Sequence, residues 1–174
     1  RIAVEGHHAY VADADGGLVI LDISDPTSPF RTSVYPQSTT RRYSEDVAVK
    51  NGIVYFTAGF LHIIDATDPE NPVLVDTMHE AGYCLRVRVS DSCLLTTYPT
   101  VGITLLNIQS GAQPVLDGNY PVPGDLDRIA VHDNILIVGE DPSGAHLLDI
   151  SDPSTPDKLS FISSLAKCYG VAVS

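Results

Sequence analysis

The chain has 174 residues, 44% of them hydrophobic and 18% charged, a balance that marks a folded protein and excludes a disordered one. Its 22 acidic residues against ten basic ones give a net charge of −12, too acidic and too scattered in its cations for a nucleic-acid or anionic-membrane surface. No apolar run approaches the roughly 18 residues of a membrane-spanning helix, and no signal peptide is recognisable within the segment.

In chain order, the first expected element is the apolar triplet Ile2-Ala3-Val4, followed by a turn at Glu5-Gly6-His7 and a second extended stretch, Ala9-Tyr10-Val11-Ala12-Asp13. A Gly-rich turn, Asp13-Ala14-Asp15-Gly16-Gly17, leads into Leu18-Val19-Ile20-Leu21-Asp22. That turn opens like some calcium loops, but it lacks the bidentate acid such loops place about twelve positions on, and it reads as an ordinary turn. Next come Ser24-Asp25-Pro26-Thr27-Ser28-Pro29 and the alternating stretch Phe30–Tyr35. Asp before Pro starts a turn by capping it with a side-chain oxygen, and Pro presets φ at the corner. Asp25 is therefore expected to accept a backbone N–H.

The same order of elements then recurs. Val47-Ala48-Val49, Val87-Arg88-Val89, Ile129-Ala130-Val131 and Val171-Ala172-Val173 match the first triplet, with their closing residues 45, 40, 42 and 42 positions apart. Asp22, Asp65, Asn107 and Asp149 close the third stretch of successive units. In the second unit the strands are expected at Asp46–Val49, Ile53–Phe56, Leu61–Asp65 and Val73–Thr77, with an Asn51-Gly52 hairpin whose two residues accept positive φ. Asp68 and Asp152 repeat the Asp-Pro turn of Asp25, whereas the third unit replaces it with Gln109-Ser110-Gly111-Ala112-Gln113-Pro114.

Four short strands repeated about every 42 residues make the fold all-β, a β-propeller of four-stranded antiparallel blades. A β-solenoid is the rival, but its coils are shorter and lack a regular hairpin. The blades are expected at about 1–42, 43–83, 84–125 and 126–167, with 168–174 as the inner strand of a next blade, so that the segment forms an arc of a larger ring. The triplets, apolar at consecutive positions, are expected innermost with both faces covered, and the alternating fourth strands at the half-exposed rim.

Leu18-Val19-Ile20-Leu21-Asp22-Ile23-Ser24-Asp25-Pro26 and His146-Leu147-Leu148-Asp149-Ile150-Ser151-Asp152-Pro153, together with the triplets, resemble the LVIVD repeat family of bacterial and archaeal propellers. The resemblance is best in units one, two and four; Leu105-Leu106-Asn107-Ile108-Gln109 departs from it. It implies a secreted or cell-surface protein, often beside other domains or an anchor, and it implies no reaction, so no catalytic residue is carried over.

Ligands of propellers usually meet the loops entering the innermost strands and those between second and third strands. Asp46, Arg86 and Arg128 share one register, three residues before the closing Val of their units, with Asp127 one step upstream. Two readings stand: a charged rim that grips a polar ligand, or ion pairs between neighbouring blades. His79, in a loop at the same end, is the one histidine placed for a functional role. His62 and His146 occupy equivalent third-strand positions and read as the polar half of an alternating strand. No metal spacing, nucleophile elbow or cofactor motif stands out. Cys84, Cys93 and Cys168 lack C-x-x-C spacing and read as unpaired thiols, with a Cys84–Cys93 bridge as the minor alternative. The expected function is a non-catalytic extracytoplasmic interaction or scaffold module. Its partners are a protein or carbohydrate and the remainder of its own propeller. The alternatives are a hydrolase or lyase with its site at the propeller mouth, and a purely structural spacer.

Overall fold

A computed structural model describes residues 1–36, 46–79, 82–91, 93–109, 113–122, 125–141 and 144–163. The regular elements among them are all β-strands, arranged as four antiparallel four-stranded sheets in simple sequence order. The first sheet is β1 (Ile2–Glu5), β2 (His8–Asp13), β3 (Gly17–Asp22) and β4 (Phe30–Tyr35). The second is β5 (Asp46–Lys50), β6 (Ile53–Ala58), β7 (Phe60–Asp65) and β8 (Val73–Met78). The third is β9 (Arg86–Val89), β10 (Cys93–Tyr98), β11 (Gly102–Asn107) and β12 (Val115–Tyr120). The fourth is β13 (Asp125–His132), β14 (Ile135–Asp141), β15 (Gly144–Asp149) and β16 (Asp157–Ser163). The expected innermost strand of a fifth unit, Val171–Val173, lies outside the described residues. The chain divides into two compact units, residues 1–87 and 88–174.

In the first unit one face of the first sheet packs on the second sheet. Period-two alternation aims Tyr10, Leu18 and Ile20 at Val47, Val54 and Phe56, and all six are buried. Each such side chain contributes about 1.5–3 kcal/mol relative to exposure. The second unit repeats the arrangement, with Leu95, Ile103 and Leu105 against Ile129, Leu136 and Val138. The innermost triplets are not all covered on both faces as expected. Val47 and Ala48 are buried, but Ile2 and Val4 stand 67% and 59% exposed, because in the first unit the second sheet covers one face of the first.

The turns explain why this sequence repeats as it does. In the first connection Asn51 and Gly52 take φ of 52° and 74°, the left-handed pair that a two-residue hairpin needs. At the end of each third strand the Asp or Asn side chain bonds the N–H two residues on: Asp22 accepts from Ser24 (2.7 Å), Asp65 from Thr67 (2.9 Å), Asn107 from Gln109 (2.9 Å) and Asp149 from Ser151 (2.8 Å). A second such turn follows at once, where Asp25, Asp68 and Asp152 accept from Thr27, Glu70 and Ser154 at 2.9–3.1 Å, as their position before Pro implies. Serial turns of this kind reverse the chain by local bonds alone, so the sheet does not have to supply them.

Each fourth strand carries one register shift at the same place: opposite Ile20/Leu21, Ile63/Ile64, Leu105/Leu106 and Leu147/Leu148. The extra residue is Thr32, Val75, Asp117 or Leu159, and such a bulge bends and twists the outer strand. The expected half-exposed alternation is only partly kept. β16 is exposed along its whole length and β8 over Val73–Asp76, since the bulge breaks the alternation and, among the described residues, no strand pairs with the outer edge. Outer strands also touch the next sheet of their unit. Ser33 donates its hydroxyl to the Pro69 carbonyl at 2.6 Å. At the equivalent place Gly118 lies against the Pro153 carbonyl, so closely that a Cβ there would overlap it.

Candidate functional site

Asp46, Arg86 and His79 lie in the first unit. Asp46 opens β5 opposite Thr57 and is 1% exposed. Its N–H donates to Thr57 Oγ1 (2.9 Å); its own Oδ1 accepts from Val47 N–H (3.1 Å) and its Oδ2 from Val87 N–H (3.3 Å). The carboxylate thus holds the start of β9 against β5. Arg86, the residue before Val87, is half-buried and donates from Nη1 to the Leu85 carbonyl at 2.8 Å. Asp46 thus lies beside the entrance of β9, its carboxylate accepting from two backbone N–H groups. His79 is exposed just after β8, and its ring meets Phe60 edge-on with centroids 4.4 Å apart. Gly82 N–H donates to the His79 carbonyl and Cys84 N–H to the Gly59 carbonyl, both at 3.0 Å, fastening this approach onto the β6–β7 turn.

Arg128 and Asp127 lie in the second unit. Arg128 is half-buried and pairs with Gly139 across β13–β14, and the register shift between Asp125 and Arg128 places Asp127 in the irregular part of β13. Nearby, Thr97 donates its hydroxyl to the Leu126 carbonyl (3.1 Å), so the position equivalent to Thr57 again ties an inner strand, here across to the next sheet. Much of the loop sequence expected to carry ligands, including 37–45, 123–124, 142–143 and 164–169, lies outside the described residues.

His62 and His146 are not the solvent-facing half of their strands. They are 6% and 9% exposed. His146 Nε2 lies 2.8 Å from a Glu140 carboxylate oxygen, and its ring sits 4.7 Å from Phe161 and 6.3 Å from Tyr120, centroid to centroid. Glu140 pairs with Gly144 at the hairpin end, which puts His146 on its diagonal across the two strands, a relation that the repeat alignment does not display. His62 has Ala58 where His146 has Glu140; its Nδ1 lies 3.3 Å from Thr77 Oγ1, and burial lowers its pKa. Cys84 and Cys93 are buried and not bridged to each other, and burial pushes the Cys93 thiol up to about 11. Cys168 falls outside the described residues. Among the described residues no three His, Cys, Asp or Glu side chains are placed to hold a metal ion.

At the other end of the strands the turn between first and second strands does further work. Glu5 spans to the next sheet's turn, Oε1 accepting from Asn51 N–H (2.7 Å) and Oε2 from Gly52 N–H (2.8 Å). In the second unit Ser90 holds the position of Glu5, and Asp133-Asn134 that of Asn51-Gly52. There a cleft of about 450 Å³ opens between residues 89–91 and 131–134. The one trace of this cleft in the sequence is Ser90 at the repeat position of Glu5.

The family model for the LVIVD repeat matches residues 1–35, 41–79 and 123–161. No curated protein matches the chain. Among solved structures, the chain is similar over 97% of its length to the β-propeller domain of Myceliophteria thermophila Cps50 (Swd1), at a TM-score of 0.75 and 12% identity. It is equally similar to a functionally unknown protein from Desulfotomaculum acetoxidans DSM 771, at 0.75 and 12%, again over 97% of the chain. The computationally designed Ika8 protein follows, at 0.72 and 12% over the same 97%. The chain spans 59%, 56% and 50% of those three chains, respectively. At this identity the likeness establishes the fold, a β-propeller whose blades are the four-stranded sheets.

Proposed function

The chain belongs to the LVIVD-repeat family, and on that premise we propose that it is a non-catalytic extracytoplasmic binding or scaffold module. The observation that supports this reading is where the repeat spends its polar side chains. Asp22, Asp65, Asn107 and Asp149, with Asp25, Asp68 and Asp152, all bond turn backbone, and Asp46 bonds Val87 N–H. The turn carboxylates build the scaffold, and we assign recognition to side chains outside those turns, Arg86, Arg128, Asp127 and His79 among them. Guanidinium forks suit a carboxylate or sugar hydroxyl.

The test uses intact cells producing the whole protein. A membrane-impermeant amine reagent should label it, and capture of its partner should fall in Arg86→Ala or Arg128→Ala variants with unchanged thermal stability. Protection from the reagent would overturn the extracytoplasmic assignment. Unchanged capture by both variants would remove the arginines from the site.

A further inference from the structure

We propose that the cleft between the Val89–Asp91 turn and the Val131–Asn134 turn binds a neutral, hydroxyl-bearing ligand such as the vicinal diol of a pyranose. The argument is a comparison within the molecule. In the first unit the gap between consecutive first turns is bridged by Glu5, whose two carboxylate oxygens take the N–H groups of Asn51 and Gly52. In the second unit the bridging position is Ser90, two carbons shorter, and its hydroxyl turns back to the Cys93 carbonyl of its own hairpin at 3.1 Å. The receiving turn still starts with a left-handed residue: φ is 49° at Asp133 against 52° at Asn51. The first junction is closed by a side chain of the protein, and the second is left as a cleft of about 450 Å³, within the range of small-molecule sites.

The lining decides the class of ligand. Val89 and Val131 form its apolar part. Asp91 and Asp133 line it with carboxylates, which in their ionised form accept hydrogen bonds and donate none, and His132 Nε2 lies 3.7 Å from Asp133. The Asn134 amide and the backbone N–H groups of the turn are donors. An anion would have to approach two carboxylates on a chain of net charge −12. A simple cation would face the turn donors without accepting from them. Each hydroxyl both donates and accepts, so adjacent hydroxyls meet both halves of the lining at once.

The experiment is a ¹⁵N–¹H correlation titration of the 174-residue chain with the methyl glycosides of glucose, galactose and mannose, and separately with acetate and guanidinium as charge controls. At least one glycoside should give saturable shifts in the millimolar range at amides of residues 89–91 and 131–134. Ser90→Glu, which restores the bridge that Glu5 makes, should weaken that binding about tenfold or more. Ser90→Ala should retain it. The spectra of both variants report folding directly. The proposal is overturned if no glycoside saturates, if the shifts lie elsewhere, or if Ser90→Glu binds like the parent. Tighter saturation by acetate or guanidinium overturns the assigned ligand class.

Discussion

Removing the Asp46 carboxylate should destabilise the first unit through the backbone donors it serves. Asp46→Ala leaves two N–H groups without that acceptor: Val47, 3% exposed, and Val87, fully buried. A buried donor stranded in this way costs about 1–3 kcal/mol, for a sum of about 2–6 kcal/mol. The bond to the adjacent residue, at 3.1 Å within a tight local ring, can be replaced by small backbone adjustment, so the lower part of that range, about 2–3 kcal/mol, is expected. A loss of about 2 kcal/mol lowers the folded-to-unfolded ratio by roughly thirtyfold. Asp46→Asn keeps one carbonyl oxygen and should lose less. Urea unfolding followed by circular dichroism measures the loss, and native-state amide exchange at Val87 locates it: protection there should drop at least about tenfold, since local opening follows the lost bond. An Asp46→Ala protein within about 0.5 kcal/mol of the parent, a change typical of an uninvolved surface site, with Val87 protection intact would refute the reasoning. The carboxylate would then belong with the ligand-binding candidates.

Hydrogen bonds from the turn residues that follow lower the carboxyl pKa values of Asp22, Asp25, Asp65, Asp68, Asp149 and Asp152 below the ordinary 3.8. A carboxyl whose folded pKa is lowered stabilises the fold above its unfolded value and ceases to do so as pH falls through the folded one. Melting temperature should therefore decline below about pH 4, and a triple Asp25→Asn, Asp68→Asn, Asp152→Asn variant should show a shallower acid limb; an identical slope would contradict the turn bonds. Gly118→Ala should cost about 1–3 kcal/mol in a thermal or urea melt, because its Cβ would overlap the Pro153 carbonyl; an unchanged melt would mean that this approach is looser than described.

The strands and turns were legible because their causes are local. Asn51-Gly52 declares its hairpin through two residues that tolerate positive φ, and Asp before Pro declares a capped turn within four positions. The second sheet's inner and outer strands, expected at Asp46–Val49 and Val73–Thr77, lie within a residue of β5 and β8. What stayed hidden depends on partners far along the chain. Glu5 reads as a turn residue until Asn51, 46 positions away, is found donating to it. His146 reads as solvent-facing until the diagonal to Glu140 and the rings of Tyr120 and Phe161 are placed around it. Register placed Asp46 at a strand entrance, but it carries no record of which way a carboxylate turns. In β6, Val54, Tyr55 and Phe56 are all buried, so alternation could not tell one face from the other.

The repeated bulge of the fourth strands bears on how the protein survives its own surface. β8 offers Val73, Leu74 and Val75 to solvent, 61%, 42% and 41% exposed, along a strand that stands at the edge of its sheet among the described residues. A straight strand of that composition is a template for another chain to pair with, the first step toward aggregates. The bulge at Val75 interrupts the regular spacing of N–H and C=O groups midway, and Asp76 follows it with a charge. An incoming strand can match the register on one side of the kink but not on both. Because the same shift recurs in all four sheets, every rim of the described molecule carries this interruption, and the array can lengthen blade by blade without accumulating adhesive edges.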